Sequence, residues 1–167
     1  MHALVFVVKN ANEISSEAVD DVTVLNELPY ADYTEEVTLQ EQHFVRLAEL
    51  LEEQYGKDNL AVDQSHKRIT INRSGVIRYF NSLRAALKRA IDSAMDRPIE
   101  DFIHLRGESD WYAIKTLIDD SFDTQFYMNG YGCGSVTVFN HHLYVQMEYE
   151  QTDSITLELT QVFDAHY

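Results

Sequence analysis

The unbroken apolar run ALVFVV at residues 3–8 limits the fold of this chain more than any other segment. Strands with one face in water alternate polar and apolar residues, whereas a continuous β-branched run is typical of a strand covered on both faces. The run is too short for a signal-peptide core and far too short to span a bilayer. We therefore expect a central buried strand in a soluble, cytoplasmic protein without membrane association.

Helical spacing follows in the middle of the chain. TLQE at 38–41 is a capping box that predicts a helix running to about Tyr55 and ending at Gly56. The segment VIRYF at 76–80 leaves two interpretations open, a strand after a turn at NRSG or part of one long helix capped by Ser74. Its β-branched pair and the preceding Gly75 slightly favour the strand. In both cases the expected buried face is Leu83, Leu87, Ala90, Ile91 and Ala94. Short helices are also predicted at 96–105 and 111–120.

Strand patterns occupy both ends of the chain. We predict strands at DVTVL (21–25), LAVD (60–63) and RITI (68–71), and period-two alternation from Thr124 onward. The segments at 135–140, 142–150 and 155–163 would then form antiparallel strands, with residues 143, 145, 147 and 149 on the core face. The sum is a single α+β domain over residues 1–167. Its antiparallel sheet would combine a three- to four-stranded C-terminal meander with the N-terminal strand, packed with three to four helices.

The distribution of charge is the strongest indication of function. The net charge is −15, but residues 1–66 carry −11, residues 67–97 carry +6 and residues 98–167 carry −10. Such an excess of acid would repel nucleic-acid phosphates, so direct binding of nucleic acid is disfavoured. The acidic residues proposed to face a partner are Glu41, Glu49, Glu52, Glu53, Asp58, Asp119, Asp120, Glu148 and Glu150. The candidate basic patch is Arg68, Arg73, Arg78, Arg84, Lys88 and Arg89.

These charges, with abundant Tyr and Phe as interface anchors, favour an acidic protein-binding module. It would be an inhibitor or nucleic-acid mimic that occupies a basic surface of a partner such as a nuclease or another nucleic-acid enzyme. Phage or mobile-element anti-defence proteins and immunity proteins have this character. One alternative is a self-associating structural or accessory protein, possible as a homodimer, in which the basic segment 67–97 contacts acidic surface on another copy.

The other alternative is a small enzyme that uses the only cysteine, Cys133 in NGYGCGSV, or a histidine cluster. His141 and His142 follow the cysteine closely, and they can meet Asp164 and His166 if the last strands pair suitably. However, a thiol needs a neighbouring base or helix N-terminus for activation, and no such motif is present. Asn129-Gly130 predicts a hairpin turn, and the alternating glycines predict a strip where a helix or ring packs closely. The histidines lack zinc-protease spacing, so we expect no catalytic site, no cofactor and no metal.

Overall fold

A seven-stranded sheet carries the helices of the fold in the computed structural model. The structure describes residues 2–13, 18–28, 31–98, 100, 114–115, 117 and 124–167. The strands are β1 His2–Asn10, β2 Tyr33–Val37, β3 Leu60–Asp63, β4 Arg68–Asn72, β5 Thr124–Met128, β6 Gly132–Ser135 and β7 Ser154–His166. The helices are α1 Asp21–Glu27, α2 Glu41–Tyr55, α3 Arg73–Met95 and α4 Val136–Tyr149.

Strand order places β7 at the centre of the sheet. The order is β3-β4-β7-β1-β5-β6, and β2 also pairs with β7. The first half of β7 pairs with β4 and its second half with β2, whereas β1 runs along its other side. Only the β1–β5 pairing is parallel among these strand pairs. The mostly antiparallel sheet with its helices confirms the predicted α+β fold class.

Strand β1 is covered on both faces, as its apolar run predicts. Val5 and Val7 face α1 in a small core, whereas Phe6 and Val8 belong to the main core under α2, α3 and α4. Successive side chains of a strand point to opposite faces. A strand that is covered on both faces therefore needs an apolar residue at every position. No helix within the described part of the chain is long and apolar enough to cross a membrane.

Helix α2 ends where the sequence predicts, but its first turn is capped differently. Phe44, Leu47 and Leu51 are buried at helical spacing, and the backbone of Gly56 closes the helix with φ +79°. The capping box, however, joins Gln40 and His43, so the predicted Thr38–Glu41 box is wrong. The N-cap is therefore Gln40, two residues after the predicted Thr38, and the helix begins at Glu41.

Segment 76–80 is helical, so the interpretation as a strand, which the sequence slightly favours, is wrong. Helix α3 begins at Arg73, and Val76 is fully buried. Gly75 acts by its size, since a Cβ there would lie 2.9 Å from the Cβ atoms of Tyr55 and Asn59. The predicted buried face is also partly wrong, because Ala94 is buried while Ile91 is 48% exposed.

Residues 136–149 form helix α4, so the two strands predicted there, and with them the C-terminal meander, are wrong. The Ser135 side chain caps the helix by accepting from the Val138 N–H. Segment 21–25 is likewise helical rather than a strand, since Asp20 caps α1 through the Thr23 N–H and Val24 alone is buried. The hairpin at 60–71 and the turn after Asn129 are confirmed. The helices predicted at 96–105 and 111–120 lie largely outside the described residues.

Candidate functional site

The outer side of α2 carries the most concentrated acidic surface that the structure describes. Glu49, Glu52 and Glu53 are exposed on the helix, and Asp58 is exposed in the following turn. The apolar residues of α2 point into the core, so helical periodicity leaves these carboxylates in water. None of the four forms an ion pair within the described part of the chain. We call these four residues the α2 acidic surface.

The other predicted acidic residues lie apart from this group or outside the described residues. Glu41 is exposed at the start of α2, and its carboxylate accepts a hydrogen bond from the Gln64 amide. Glu148 and Glu150 are exposed at the end of α4, where Glu150 accepts from Gln146 Nε2 at 2.8 Å. Asp119 and Asp120 lie outside the described residues.

The predicted basic patch divides into two arginines that bond to groups elsewhere in the same chain and an exposed part. Arg68 donates from Nε and Nη2 to one carboxylate oxygen of Glu158, at 3.0 and 2.9 Å. Arg73 donates from Nη2 to the backbone carbonyls of Met147 and Thr152, and its guanidinium lies 5.6 Å from the Tyr144 ring centre. These two arginines bind the protein's own groups, so they are not available as one patch with the rest.

The exposed part of the basic patch lies on α3. Lys88 pairs with Asp92 one turn later at 2.5 Å, whereas Arg78, Arg84 and Arg89 form no ion pair among the described residues. Arg78 and Arg89 line a groove of about 530 Å³ between α2 and α3, and Glu53 lines the same groove. Acidic and basic side chains therefore adjoin each other on the helical layer. We call Arg78, Arg84 and Arg89 the α3 basic row.

The sheet separates Cys133 from His142, one of the two histidines that the enzyme alternative offers as its base. Cys133 packs with the small core under α1, and its thiol lies 3.9 Å from the Val24 carbonyl oxygen. His142 on α4 instead lines a small cleft with Gly132 and Gly134 and stacks on Tyr131, 4.4 Å between ring centres. Burial, with the nearby Glu27 carboxylate, raises the pKa of the Cys133 thiol to about 12. The thiol is thus protonated at neutral pH, which disfavours its use as a nucleophile.

The predicted histidine cluster is also divided, and a different histidine completes it. Burial, aided by the adjacent His141, lowers the pKa of His142 at the hairpin end of the sheet. His166 lies at the other end, where its Nε2 is 3.5 Å from Asp164 Oδ2. The third member there is His2, whose Nδ1 is 3.1 Å from the same oxygen. Register places His2 opposite His166 on β1 and β7, a pairing that the sequence alone does not specify.

Comparison with known proteins adds no relative: no family model, no curated protein and no solved structure matches this chain. The arrangement therefore has to be interpreted from its own surfaces. The described residues bring together an acidic helix face, an adjacent row of arginines, and a small histidine–carboxylate cluster at one end of the sheet. The first two are suited to binding a charged macromolecule by complementarity, and the third to binding a small ligand.

Proposed function

We propose that this protein is an acidic protein-binding module that occupies a basic surface of a partner, such as a nuclease or another nucleic-acid enzyme. The observation that carries the proposal is the α2 acidic surface, four exposed carboxylates without an ion pair among the described residues. Unneutralised like charges repel each other at low salt, and a cationic partner removes that repulsion on binding.

The spacing of these carboxylates supports mimicry of nucleic acid. Glu49 and Glu53 are four residues apart, which is a rise of about 6 Å along a helix. With Glu52, three charges divide that length into two intervals, a mean spacing of about 3 Å, close to the roughly 3.4 Å between charges along one strand of duplex DNA. A partner that binds a phosphate backbone with Lys and Arg would find a similar charge density on α2.

The fate of the basic residues supports a protein partner rather than nucleic acid itself. Arg68 and Arg73 contact carboxylate and carbonyl groups of the same chain. Of the remaining α3 basic row, Arg78 and Arg89 adjoin the α2 acidic surface across the groove that Glu53 also lines. Phosphates approaching the row would meet Glu53 and a net charge of −15.

The test is capture of a partner from source-cell lysate, followed by measured binding of the purified pair. We expect 1:1 binding that weakens steeply with salt and is displaced by duplex DNA, since partner and DNA would compete for one basic surface. The triple variant E49K/E52K/E53K should abolish binding. The control E13K/D32K/E35K changes net charge equally at exposed acids outside the predicted partner-facing set, and it should keep most of the affinity.

One result would contradict the role of the α2 acidic surface, and a second would contradict mimicry of nucleic acid. Equal loss in the two triple variants would mean that binding depends on net charge and not on the α2 acidic surface. Binding that DNA does not displace would retain an acidic partner-binding protein but remove mimicry of nucleic acid. Lys is as good a helix former as Glu, so helix α2 should stay folded in E49K/E52K/E53K. Circular dichroism of both variants checks this.

Self-association is the second candidate, favoured by the α3 basic row. Arg78 and Arg89 are exposed on the same side of α3 and adjoin Glu53, so two copies related by a two-fold axis can each place these arginines on the other's α2 acidic surface. Light scattering at low salt should then give twice 19.3 kDa and return to the monomer mass at high salt. R78E/R89E should prevent the dimer, and a chain that stays monomeric at high concentration excludes this candidate.

A further inference from the structure

We propose that His2, Asp164 and His166 form a binding site for a divalent transition-metal ion of the zinc type. The three side chains offer two imidazole nitrogens and a carboxylate oxygen, and these atoms all lie within 4.8 Å of one another. Imidazole and carboxylate ligands suit Zn²⁺ and its neighbours in the first transition row, whereas Mg²⁺ and Ca²⁺ prefer all-oxygen sets. This inference is independent of the protein-binding proposal.

The sheet itself builds the site, which makes it rigid. Asp164 and His166 are two residues apart on β7, so strand alternation places both side chains on one face. His2 lies directly opposite His166 on the neighbouring strand β1, and antiparallel partners share a face. Two adjacent strands at the centre of the sheet therefore fix all three ligands, without a long loop.

The distances between ligand atoms match those around a small four-coordinate ion. Asp164 Oδ2 is 3.1 Å from His2 Nδ1 and 3.5 Å from His166 Nε2. Ligands at about 2.0–2.1 Å from zinc in a tetrahedron are roughly 3.3 Å apart, which lies between those two values. A metal ion thus fits among the three atoms with small side-chain adjustments.

Strand β2 supports the site from the other side of β7. The Tyr33 ring stacks on His166 with 3.9 Å between ring centres, which holds the imidazole in orientation. Glu35 lies directly opposite Asp164 in the β2–β7 register and is exposed. By this register its carboxylate is a candidate for a fourth ligand, and water can take that position instead. Three protein ligands with an open fourth position are typical of zinc sites that also bind a small molecule.

The site is separate from the α2 acidic surface. Residues of α2 pack over Leu157 and Leu159 in the first half of β7, whereas the cluster lies at its last residues. Leu157 and Asp164 are seven residues apart, or about 23 Å along a strand. Substitutions in the cluster should therefore leave the proposed protein-binding face unchanged.

A second histidine–carboxylate pair supplies a matched control. His66 Nδ1 lies 2.7 Å from Asp63 Oδ2 in the turn between β3 and β4, a contact of the same type as His2 with Asp164. Within the described residues, only the His2 cluster brings three possible ligands together. If a histidine beside a carboxylate sufficed to bind metal, both pairs would bind equally.

The experiment uses the untagged full chain, treated with chelator and then titrated with ZnCl₂ in a calorimeter, with MgCl₂ as the comparison ion. We expect one equivalent of Zn²⁺, no heat from Mg²⁺, and a melting temperature that rises with Zn²⁺ concentration. Co²⁺ in place of Zn²⁺ should give the visible absorption of a four- or five-coordinate site. H2Q, D164N and H166Q should each weaken Zn²⁺ binding by at least about 10-fold, and H66Q should leave it unchanged.

His2 is the decisive position, since its side chain is 63% exposed at a strand end and H2Q does not threaten folding. Imidazole NMR signals of His2 and His166 should shift together on adding Zn²⁺, a readout that does not depend on any variant. Absence of 1:1 binding would overturn the proposal. Equal losses in H2Q and H66Q would also overturn it, because they would indicate non-specific binding to exposed histidines.

Discussion

Arg73 Nη2 donates a 2.8 Å hydrogen bond to the backbone carbonyl of Met147, in the last turn of α4. The same nitrogen donates to Thr152 O at 2.9 Å, just beyond the helix. A cation at a helix C-terminus satisfies carbonyls that have no partner within the helix and interacts favourably with its dipole. Arg73 thus joins the start of α3 to the end of α4, which is a structural role and not that of a binding patch.

We predict that Arg73→Met destabilises the protein by about 1.5–3 kcal/mol, the usual value of hydrogen bonds to a charged group. Arg84→Met removes the same charge from the same predicted patch, but Arg84 is exposed and forms no ion pair among the described residues. Its cost should stay within about 0.5 kcal/mol. Urea unfolding measures both, and equal costs would refute the structural role of Arg73.

The error at α4 shows where sequence patterns mislead. Leu143 and Met147 are four residues apart, so they fit both a strand with period two and a helix. The strand interpretation adds Val145 and Tyr149 to the core, but these residues are 40% and 89% exposed. Asn140, which a strand would not place with them, is fully buried. Because α4 contacts both the sheet and α3, it is apolar on several sides and its periodicity is weak.

Local signals predicted β1 and the body and end of α2, but they failed at 21–25, 76–80 and 136–149, and the candidate site depended on pairing. The apolar run of β1 and the body and end of α2 follow from residues near in sequence, and both are confirmed. The His2 cluster joins residues at the two ends of the chain, 162 positions apart for His2 and Asp164. Their meeting depends on the β1–β7 register, which tertiary contacts determine. Likewise, the basic patch is divided because only some of its arginines meet hydrogen-bond acceptors of the same chain among the described residues. The sequence alone does not show which arginines these are.

The approach of α4 to β6 at Gly134 yields a second prediction. A Cβ on Gly134 would lie 2.6 Å from Val138 Cγ1, and a β-branched side chain has little freedom to move away. Gly134→Ala should therefore destabilise the protein by about 1–3 kcal/mol. Adding Val138→Ala removes the Cγ1 contact but keeps the Val138 Cβ, which would lie 2.9 Å from the new Cβ, so it should recover only part of that loss.

The control for this prediction is Gly130, which has φ +81° and open space around it, since a Cβ there would meet no atom within 4 Å. Gly130→Ala should also destabilise, by about 1 kcal/mol, but through the backbone conformation. Val138→Ala should not rescue it. Thermal or urea unfolding of the wild type, the three single variants and the two double variants gives the interaction free energy of each pair. Rescue of both glycine variants would mean that Val138→Ala stabilises the protein in general. The contact between residue 134 and Val138 would then not be the cause of the loss in Gly134→Ala.

The turn between β3 and β4 gives a prediction for acid pH. Hydrogen bonds from Ser65, followed by those from His66, lower the pKa of Asp63 to about 2 from an ordinary value of 3.8. A lowered pKa stabilises the folded state above pH 3.8, and this contribution is lost as the pH falls towards 2. Ser65→Ala should raise the pKa of Asp63, measured by NMR titration of its carboxyl. Ser74→Ala, which removes a hydroxyl that donates to Asn59, should leave it unchanged.

Cys133 gives the last prediction, on the reactivity of its thiol. With its pKa raised to about 12 from 9.0, the fraction of thiolate at neutral pH is far below that of an ordinary cysteine. Alkylation by iodoacetamide at pH 7.5 should therefore be much slower in the folded chain than in guanidinium chloride. Because the folded state holds this proton more tightly, stability should decline as the pH rises above about 9, and Cys133→Ala should reduce that decline. Alkylation as fast in the folded chain as in the unfolded one would contradict the burial of the thiol and restore the cysteine enzyme as a candidate.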